Sequence, residues 1–511
     1  MTIPYIFLLL TLLGHILFLP AFFEKAGQDK WKGYIPFLNY FVWTKIVEKP
    51  WWWVLILIVP GVNLLMFVVF HLELASAFNK RSAKDHWSIG LLPFVFMFLW
   101  SREEDLSFQG PIDWKARKKP MYKEWLDAIV FATIAATIIR TFLIEAYTIP
   151  TPSMEKSMMV GDYLFVSKAS YGPKLPNTPV AFPFAHHTLP LTEKTPSYLE
   201  WFQLPYFRLP GFGDVERMDA VVFNFPEGDT VCSNFQEVSY YQLVRDYGEK
   251  AVKNNKIVNQ KTGRKAFGEL LVRPVDKKEN YIKRCVGLPG ETLEVKEGIL
   301  WVNGEQVEMP DEMQYAYNIR TNQKINTVFF KEQFDVTPTD IQFNQGSGMY
   351  NMPLSAEKAG LIGKLDIIDT IYREINYPGE RSDANTVIFP NHYSVNWTED
   401  VFGPLYIPKE GETITLTDEN KVLYKRVIAI YENNVFSEKG GDFYIDGTKI
   451  EEYTFKQNYF WMMGDNRHRS ADSRFWGFVP EDHVVGKALF IWFSKDPITG
   501  IRWDRIFNLV K

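Results

Sequence analysis

The chain is poor in metal-binding and disulfide-forming residues: of 511, two are Cys and eight are His. Two thiols, Cys232 and Cys285, cannot build a disulfide framework. Cys285 lies in an apolar run, where a small core residue is expected. No Cys/His group has zinc spacing, so neither a metal nor another cofactor is expected. An excess of one charge is also lacking. Lys and Arg total 56 against 61 Asp and Glu, and the net charge of −5 argues against nucleic acid as a partner. No convincing internal repeat is found. What is present is an ordinary globular balance, 46% hydrophobic and 23% charged, over a length that exceeds one domain. Aromatics are high at 16%, which suits membrane interfaces together with a β-rich domain.

The first third holds several apolar segments. Ile3 to Phe23 is continuous and lacks a basic start and a small-residue cleavage site, so it reads as an anchor. Trp51 to Phe78 is a second stretch, broken by Pro60-Gly61. Trp87 to Trp100 is short for about 30 Å of hydrocarbon, so it is tilted, re-entrant or extended by its flanks. Trp125 to Ala146 is the fourth and carries Arg140, costly at mid-membrane unless it snorkels or meets a partner. Three or four spans are expected. Residues 101–123 hold Arg102, Lys115, Arg117, Lys118, Lys119 and Lys123, so this loop should be cytoplasmic and everything after Ala146 on the other side. The loop with Lys80, Arg81 and Lys84 is basic too. The two loops conflict if Trp87–Trp100 crosses fully. The expected organisation is a membrane region over 1–123, an anchor over 124–147 and a soluble domain over 148–511.

From Thr148 the pattern becomes strand-like. Asp219–Phe225 reads as a strand. Glu291 to Val307 reads as strands turned at Glu297-Gly298 and Asn303-Gly304, and Asp442 to Ile450 repeats the design at Asp446-Gly447. Val484 to Phe493 is a last strand. The expected fold is a set of transmembrane α-helices followed by a mostly β, antiparallel domain with insertions at about 227–279 and 308–411. A helix is expected near Tyr240 to Lys253. Leu423-Tyr-Lys-Arg-Val-Ile428 echoes Tyr281-Ile-Lys-Arg-Cys-Val286, without the Gly-Leu-Pro-Gly that follows the first copy.

Three clusters offer chemistry. Prolines flank Thr151 in Ile149-Pro-Thr-Pro-Ser-Met154 and hold the backbone out of a helix, giving Ser153 a fixed direction. A serine hydroxyl is a weak nucleophile until a base takes its proton. Thr151, two residues earlier, would face the same way on an extended chain and could donate to an oxyanion. The same residues also suit a rigid linker leaving a membrane helix. In an alternating strand Tyr281, Lys283 and Cys285 face one way and Ile282, Arg284 and Val286 the other. Two cations on opposite faces cannot both meet water if one face is packed. A lysine forced into apolar surroundings loses its proton more easily and can act as base for a serine, whereas at a sheet edge it would snorkel. The third cluster runs from Gly464 to Gly477; its Ser470, Asp472 and Arg474 could hold a neighbouring lysine still.

Taken in order, these clusters resemble the bacterial type I signal peptidases, the membrane-bound leader peptidases. Ser153-Met154 with Gly161-Asp162 is similar to their nucleophile box, Asp219–Phe223 to their next strand, and Tyr281–Gly290 to their lysine box. Gly464–Arg467 with Ser470–Arg474 is similar to their last box. The layout of extra N-terminal spans is similar to versions from the Bacteroidetes group. The resemblance implies Ser153 as nucleophile, Lys283 as general base and Thr151 in the place of the oxyanion hydroxyl. Ser470 would help to position the lysine, with Asp472 and Arg474 in support. Ile149, Pro150, Met158, Tyr281 and Ile282 match the substrate-pocket positions, where apolar residues suit an alanine-sized group. It further implies exported preproteins cut after a small-x-small sequence, the lipid bilayer as a partner, the secretion machinery as a candidate associate, and a catalytic domain on the periplasmic side of the inner membrane.

The pattern also departs from that family. Pro152 and Lys156 vary the first box, Met218 stands where glycine is usual, and His468-Arg469 replaces Asp-Asn. A competing reading takes Ser153-Met-Glu-Lys156, Lys261-Thr-Gly263 and Ser394-Val-Asn396 as the motifs of penicillin-binding enzymes, but their order here is reversed and no helix-rich domain carries the serine. A third is a membrane scaffold whose β domain binds polypeptide without chemistry.

Overall fold

The N-terminal helix α1 (Ile3–Lys25) is apolar over most of its length, with Pro20 inside it and Glu24-Lys25 at its end. Of the helices that follow, α2 (Leu38–Ile46) contacts α1, α3 (Trp53–Ile56) and α4 (Val62–Ala77), and His15 of α1 meets His71 of α4, Nε2 to Nε2 at 2.9 Å. The break between α3 and α4 falls at Pro60-Gly61, where Gly61 takes φ +78°. The computed structural model describes residues 3–510 apart from 114–118, 183–184, 190–191, 193–194, 254–265, 380–386, 441 and 497–499. Lys115, Arg117, Lys118 and the Lys261-Thr-Gly263 motif therefore lie outside the described residues.

The Trp87–Trp100 stretch folds as two short helices, α5 (Ala83–Leu91) and α6 (Pro93–Ser101), hinged at Leu92. A Ser82–Asp85 capping box starts the first, and Pro93 starts the second. The pair returns the chain to its point of entry. Lys80 Nζ, before α5, lies 2.6 Å from Glu103, after α6, and 5.5 Å from the Trp100 ring centre. Gln109 N–H donates to the Ala77 carbonyl at 2.9 Å, and Arg81 Nη2 to the Gly110 carbonyl at 3.2 Å. The residues that flank this helix pair, Lys80 and Arg81 before it and Glu103 and Gly110 after it, thus lie together.

Two helices are long and apolar enough to cross a membrane: the Ile6–Lys25 part of α1 and the Lys123–Phe142 part of α7 (Met121–Phe142). None of the most apolar window of α7 is covered by the rest of the protein. Arg140 is exposed in its last turn, where a cation suits the helix dipole and can reach headgroups.

The chain divides into two compact units. One contains Met1–Thr141 with Leu175–Phe207, the other Phe142–Lys174 with Arg208–Lys511. The second is built on an antiparallel sheet of β1 (Ile144–Thr148), β2 (Asp162–Ser167), β3 (Ala220–Asn224), β4 (Asn280–Gly287), β5 (Tyr459–Met463) and β6 (Val484–Asp496). Their order across the sheet is β1-β2-β6-β3-β4-β5, with Val479–Pro480 beyond β5. Thr292–Lys296, Ile299–Val302 and Glu305–Gln306 form a meander whose turns, Glu297-Gly298 and Asn303-Gly304, both take positive φ as two-residue hairpins require. Phe402–Tyr406 returns to pair with Thr292–Lys296.

Between them lies a segment with a sheet of its own, ordered Gln342–Asn344, Met349–Leu354, Tyr315–Thr321, Ile368–Arg373. Helices Thr327–Phe334 and Ala356–Ile362 cover it, and Ile319, Phe330, Met352 and Ile362 form its separate core. The Leu423–Ile428 echo of the β4 sequence is not a strand: Lys421–Arg426 is helical, with Tyr424 buried.

Candidate active site

The sequence Pro150-Thr-Pro-Ser sits in the wide connection between β1 and β2. Two prolines stop the strand, and Pro152–Met154 closes into a single 3-10 turn. The extended geometry expected through Ser153 ends at Thr151, so the two hydroxyls share a face only loosely. Thr151 Oγ1 is exposed, 3.5 Å from the buried Ser153 Oγ. The loop is tied at its base. Ile149 N–H donates to the Asp162 carbonyl and Gly161 N–H to the Ile149 carbonyl, both at 2.9 Å. The fully buried Asp162 carboxylate accepts from Met159 N–H at 2.7 Å, Ser494 Oγ at 2.6 Å and Arg505 Nη2 at 2.7 Å.

Lys283 arrives from β4, paired opposite Val221 of β3. Its Nζ lies 2.8 Å from Ser153 Oγ and 2.8 Å from the Ile282 carbonyl. Both cations of the strand are buried, Lys283 at 4% exposure and Arg284 at 1%, and they are treated oppositely. Arg284 is paired with Asp465, Nε to Oδ1 at 2.8 Å and Nη2 to Oδ2 at 2.5 Å, and Ser157 Oγ donates to the same carboxylate at 2.6 Å. Among the described residues, the hydrogen-bond partners of Lys283 are a hydroxyl and a carbonyl, with no carboxylate. Burial therefore pulls its pKa from 10.5 down to about 8, with Asp472 and Asp465 opposing the fall. A neutral amine so placed can donate to the carbonyl and accept the serine proton on its lone pair.

The last cluster braces this pair. Asn466 N–H donates to the Ser153 carbonyl at 3.1 Å and Asn466 Nδ2 to the Pro152 carbonyl at 3.3 Å. A Cβ on Gly464 would fall 2.2 Å from Ser470 Oγ and 2.5 Å from the Ser153 carbonyl oxygen, so only glycine lets Ser470 and the Ser153 backbone approach this closely. Asp472 caps the turn behind them. Its carboxylate accepts from Arg474 Nε at 2.9 Å, Arg474 Nη2 at 2.8 Å and Gly464 N–H at 3.1 Å. Burial raises the Asp472 pKa, but Arg474 and these hydrogen bonds outweigh it and hold the carboxyl below its usual range.

Of the pocket residues expected from sequence, Ile149, Met158 and Ile282 gather in one apolar cluster with Met154. Pro150 is exposed. Tyr281 belongs to a different cluster, stacked on Phe225 at 4.5 Å, because alternation sends it to the opposite face from Ile282. Sequence reasoning missed the Arg284–Asp465 pair and the contacts of the inserted segment. Lys156, held at φ +74°, reaches Asp335; Arg469 is ion-paired with Asp340; His468 Nε2 lies 3.0 Å from Asp400 and its Nδ1 accepts from Ala316 N–H at 3.0 Å. The only available signal was that Lys156, His468 and Arg469 are unusual residues in otherwise familiar boxes. Ser394 and Asn396 of the competing motif lie on an exposed loop.

The family described as signal peptidase, peptidase S26, matches residues 122–346 and 452–493, more than half of the chain, including the Ser153 loop and the Lys283 strand. The chain belongs to this family. It is similar to the signal peptidase I of Buchnera aphidicola subsp. Acyrthosiphon pisum, 25% identical over 402 residues, covering 77% of this chain and 84% of the relative. It is likewise similar to the signal peptidase I of Haemophilus influenzae, 25% identical over 409 residues, covering 78% and 79%. A shorter stretch of 108 residues is 30% identical to that of Aquifex aeolicus, covering 18% of this chain and 40% of the relative. Residues 31–111 match a separate family of unknown function.

Proposed function

We propose that the chain is a membrane-bound serine endopeptidase that removes signal peptides from exported preproteins, working through a Ser153–Lys283 dyad. The observation that carries this reading is the 2.8 Å approach of Lys283 Nζ to Ser153 Oγ at a buried site where, among the described residues, the amine has no carboxylate hydrogen-bond partner. Neutral Lys283 takes the Ser153 proton as Oγ attacks the scissile carbonyl. The oxyanion is met by Thr151 and a main-chain N–H. Lys283 then passes the proton to the departing amine, and the acyl-enzyme is hydrolysed by a water directed by the same lysine.

Ile149, Met158 and Ile282 would receive the small side chain before the cut, with Pro150 and Tyr281 nearby in sequence. Ser470 would limit the lysine's movement from its seat on Gly464, with the Asp472–Arg474 pair fixing that turn. Substrates are exported preproteins with small-x-small sites, presented from the bilayer as an extended strand. The enzyme would lie in the bacterial inner membrane as a multi-pass protein, its catalytic unit periplasmic, with the secretion machinery nearby. The N-terminal layout supports assignment to the Bacteroidetes-type enzymes.

The test is processing of one exported precursor by the purified full chain. Ser153→Ala, Lys283→Ala and Lys283→Arg should each abolish cleavage, the last because guanidinium stays protonated. Near-normal turnover by Lys283→Ala would remove the base assignment. Acylation of Ser153 by labelled penicillin would favour the competing enzyme class, and no cleavage by wild type would favour a scaffold.

A further inference from the structure

The helical unit contains a cavity of about 300 Å³ that the proteolytic reading does not use. Phe7 and Leu12 of α1 and Phe67 and Val68 of α4 form two of its walls. The segment 175–207 closes a third through Phe182 and Tyr198, and its Pro179 carbonyl accepts from Asn63 Nδ2 at 2.6 Å. Gly90 and Pro93, at the α5–α6 hinge, complete the lining.

Tyr198 aside, the polar side chains in the wall are already engaged elsewhere. Thr11 Oγ1 donates to the Phe7 carbonyl at 2.9 Å, and Ser197 Oγ to the His186 carbonyl at 3.1 Å. His71 has Nδ1 against the Phe67 carbonyl at 2.5 Å and Nε2 against His15 Nε2 at 2.9 Å. Apart from the Tyr198 hydroxyl, the remaining side-chain lining is hydrocarbon, where a water would find fewer than the two to four partners it needs.

We propose that this cavity seats one alkyl chain of a bilayer lipid. Two observations select that occupant. First, one wall is a helix apolar and long enough to span the membrane, and Phe7 both lines the cavity and lies on that helix's exposed row with Leu10 and Leu17. The cavity is therefore continuous with the surface that lipid covers. Second, the lining is almost wholly apolar, which suits an alkyl chain and not a headgroup, a sugar or a cluster of waters. The driving force is packing: an unfilled cavity gives up the dispersion contacts of every side chain that lines it. The seated chain would bridge α1, α4 and the 175–207 segment, so lipid becomes part of the packing of the helical unit.

The test is lipid retention. The full chain is purified from membranes, exchanged extensively into a non-ionic detergent, and its retained phospholipid quantified by mass spectrometry. A Cβ at Gly90 meets nothing closer than Val68 Cγ1 at 3.8 Å, so Gly90→Leu should fold and grow into the space. Val68→Trp fills it from the opposite wall. Wild type should retain about one phospholipid per chain, and a folded variant of either kind should lose it at least fivefold, while Leu17→Ala on the outer face keeps it. Wild type without bound lipid, or a folded filling variant that retains as much as wild type, overturns the proposal. Neither filling substitution touches the Ser153 loop, so precursor cleavage serves as the check of folding, and its outcome bears on the protease reading separately.

Discussion

Lys156 Nζ donates to the Asp335 carboxylate at 2.7 Å and to the Asp335 carbonyl at 2.8 Å, joining the loop that carries Ser153 to a segment 179 residues away. Asp335 receives a second cation, Lys331, at 2.6 Å, and although burial alone would raise its pKa these contacts lower it to about 2. Arg469 and His468 make parallel contacts to Asp340 and Asp400. Three of the five residues that depart from the family pattern thus hold the inserted segment.

This attachment sets an expected ranking of variants. Lys156→Ala should slow processing severalfold without abolishing it, Asp335→Ala should do the same, and the double variant should be no worse than either. Initial rates on one precursor give the comparison; additive losses would mean the two residues act independently.

Lys283 predicts the pH profile. With its pKa near 8, kcat/KM for precursor cleavage should climb as pH rises through about 8 and level off above it, because only the uncharged amine can accept the Ser153 proton. A rate that is flat from pH 6 to 10 would contradict the role.

The same burial has a stability signature. A fall from 10.5 to about 8 corresponds to ~3 kcal/mol against the charged form. Between those values the unfolded chain binds more protons than the folded one, so the lysine's penalty is full below about 8 and disappears as pH rises toward 10.5. Lys283→Met should therefore unfold at higher denaturant than wild type at pH 7, and the gap should narrow by pH 10.

Gly464→Ala should lower kcat by about a hundredfold, since its methyl meets Ser470 Oγ and the Ser153 carbonyl and a displacement of about 1 Å has that cost. Ser470→Gly in the same chain should recover part of the loss, which a variant that merely unfolds would not show.

Met218 holds φ +73°, in a turn where Arg284 Nη1 donates to its carbonyl at 2.7 Å. The usual glycine has been replaced without changing the hand of the turn. Met218→Gly should raise Tm by about 2 °C, the relief of left-handed strain being partly offset by a more flexible unfolded chain. A drop in Tm would mean that the methionine side chain contributes packing worth more than the strain.

The parts of this molecule that were readable in advance are those governed by local rules. Paired prolines stop β1 beside Ser153 and Asn303-Gly304 turns a hairpin, whereas the alternation of the Lys283 strand leaves open whether that lysine is buried or snorkels at a sheet edge. What local rules do not contain is the partner. Arg284 and Lys283 look alike in sequence, and only Asp465, 181 residues from Arg284, separates a neutralised cation from one left without a carboxylate. Leu423–Ile428 repeats the β4 pattern and still turns helical, because its context buries Tyr424 against Phe455 and Phe478 rather than offering a strand edge. Trp87–Trp100 is apolar in composition, and it breaks at Leu92-Pro93 into two short helices whose outer ends meet at the Lys80–Glu103 pair.

Because residues 175–207 belong to the helical unit although they follow β2, the backbone passes between the two units three times. Removing everything before Phe142 to obtain a water-soluble fragment would leave that excursion behind, stripped of the helices that cover Ala181, Tyr198 and Leu199. Sticky fragments would result from such a cut, and a soluble one requires shortening the excursion as well, from Lys174 straight to Arg208, whose backbones already meet in a β-bridge.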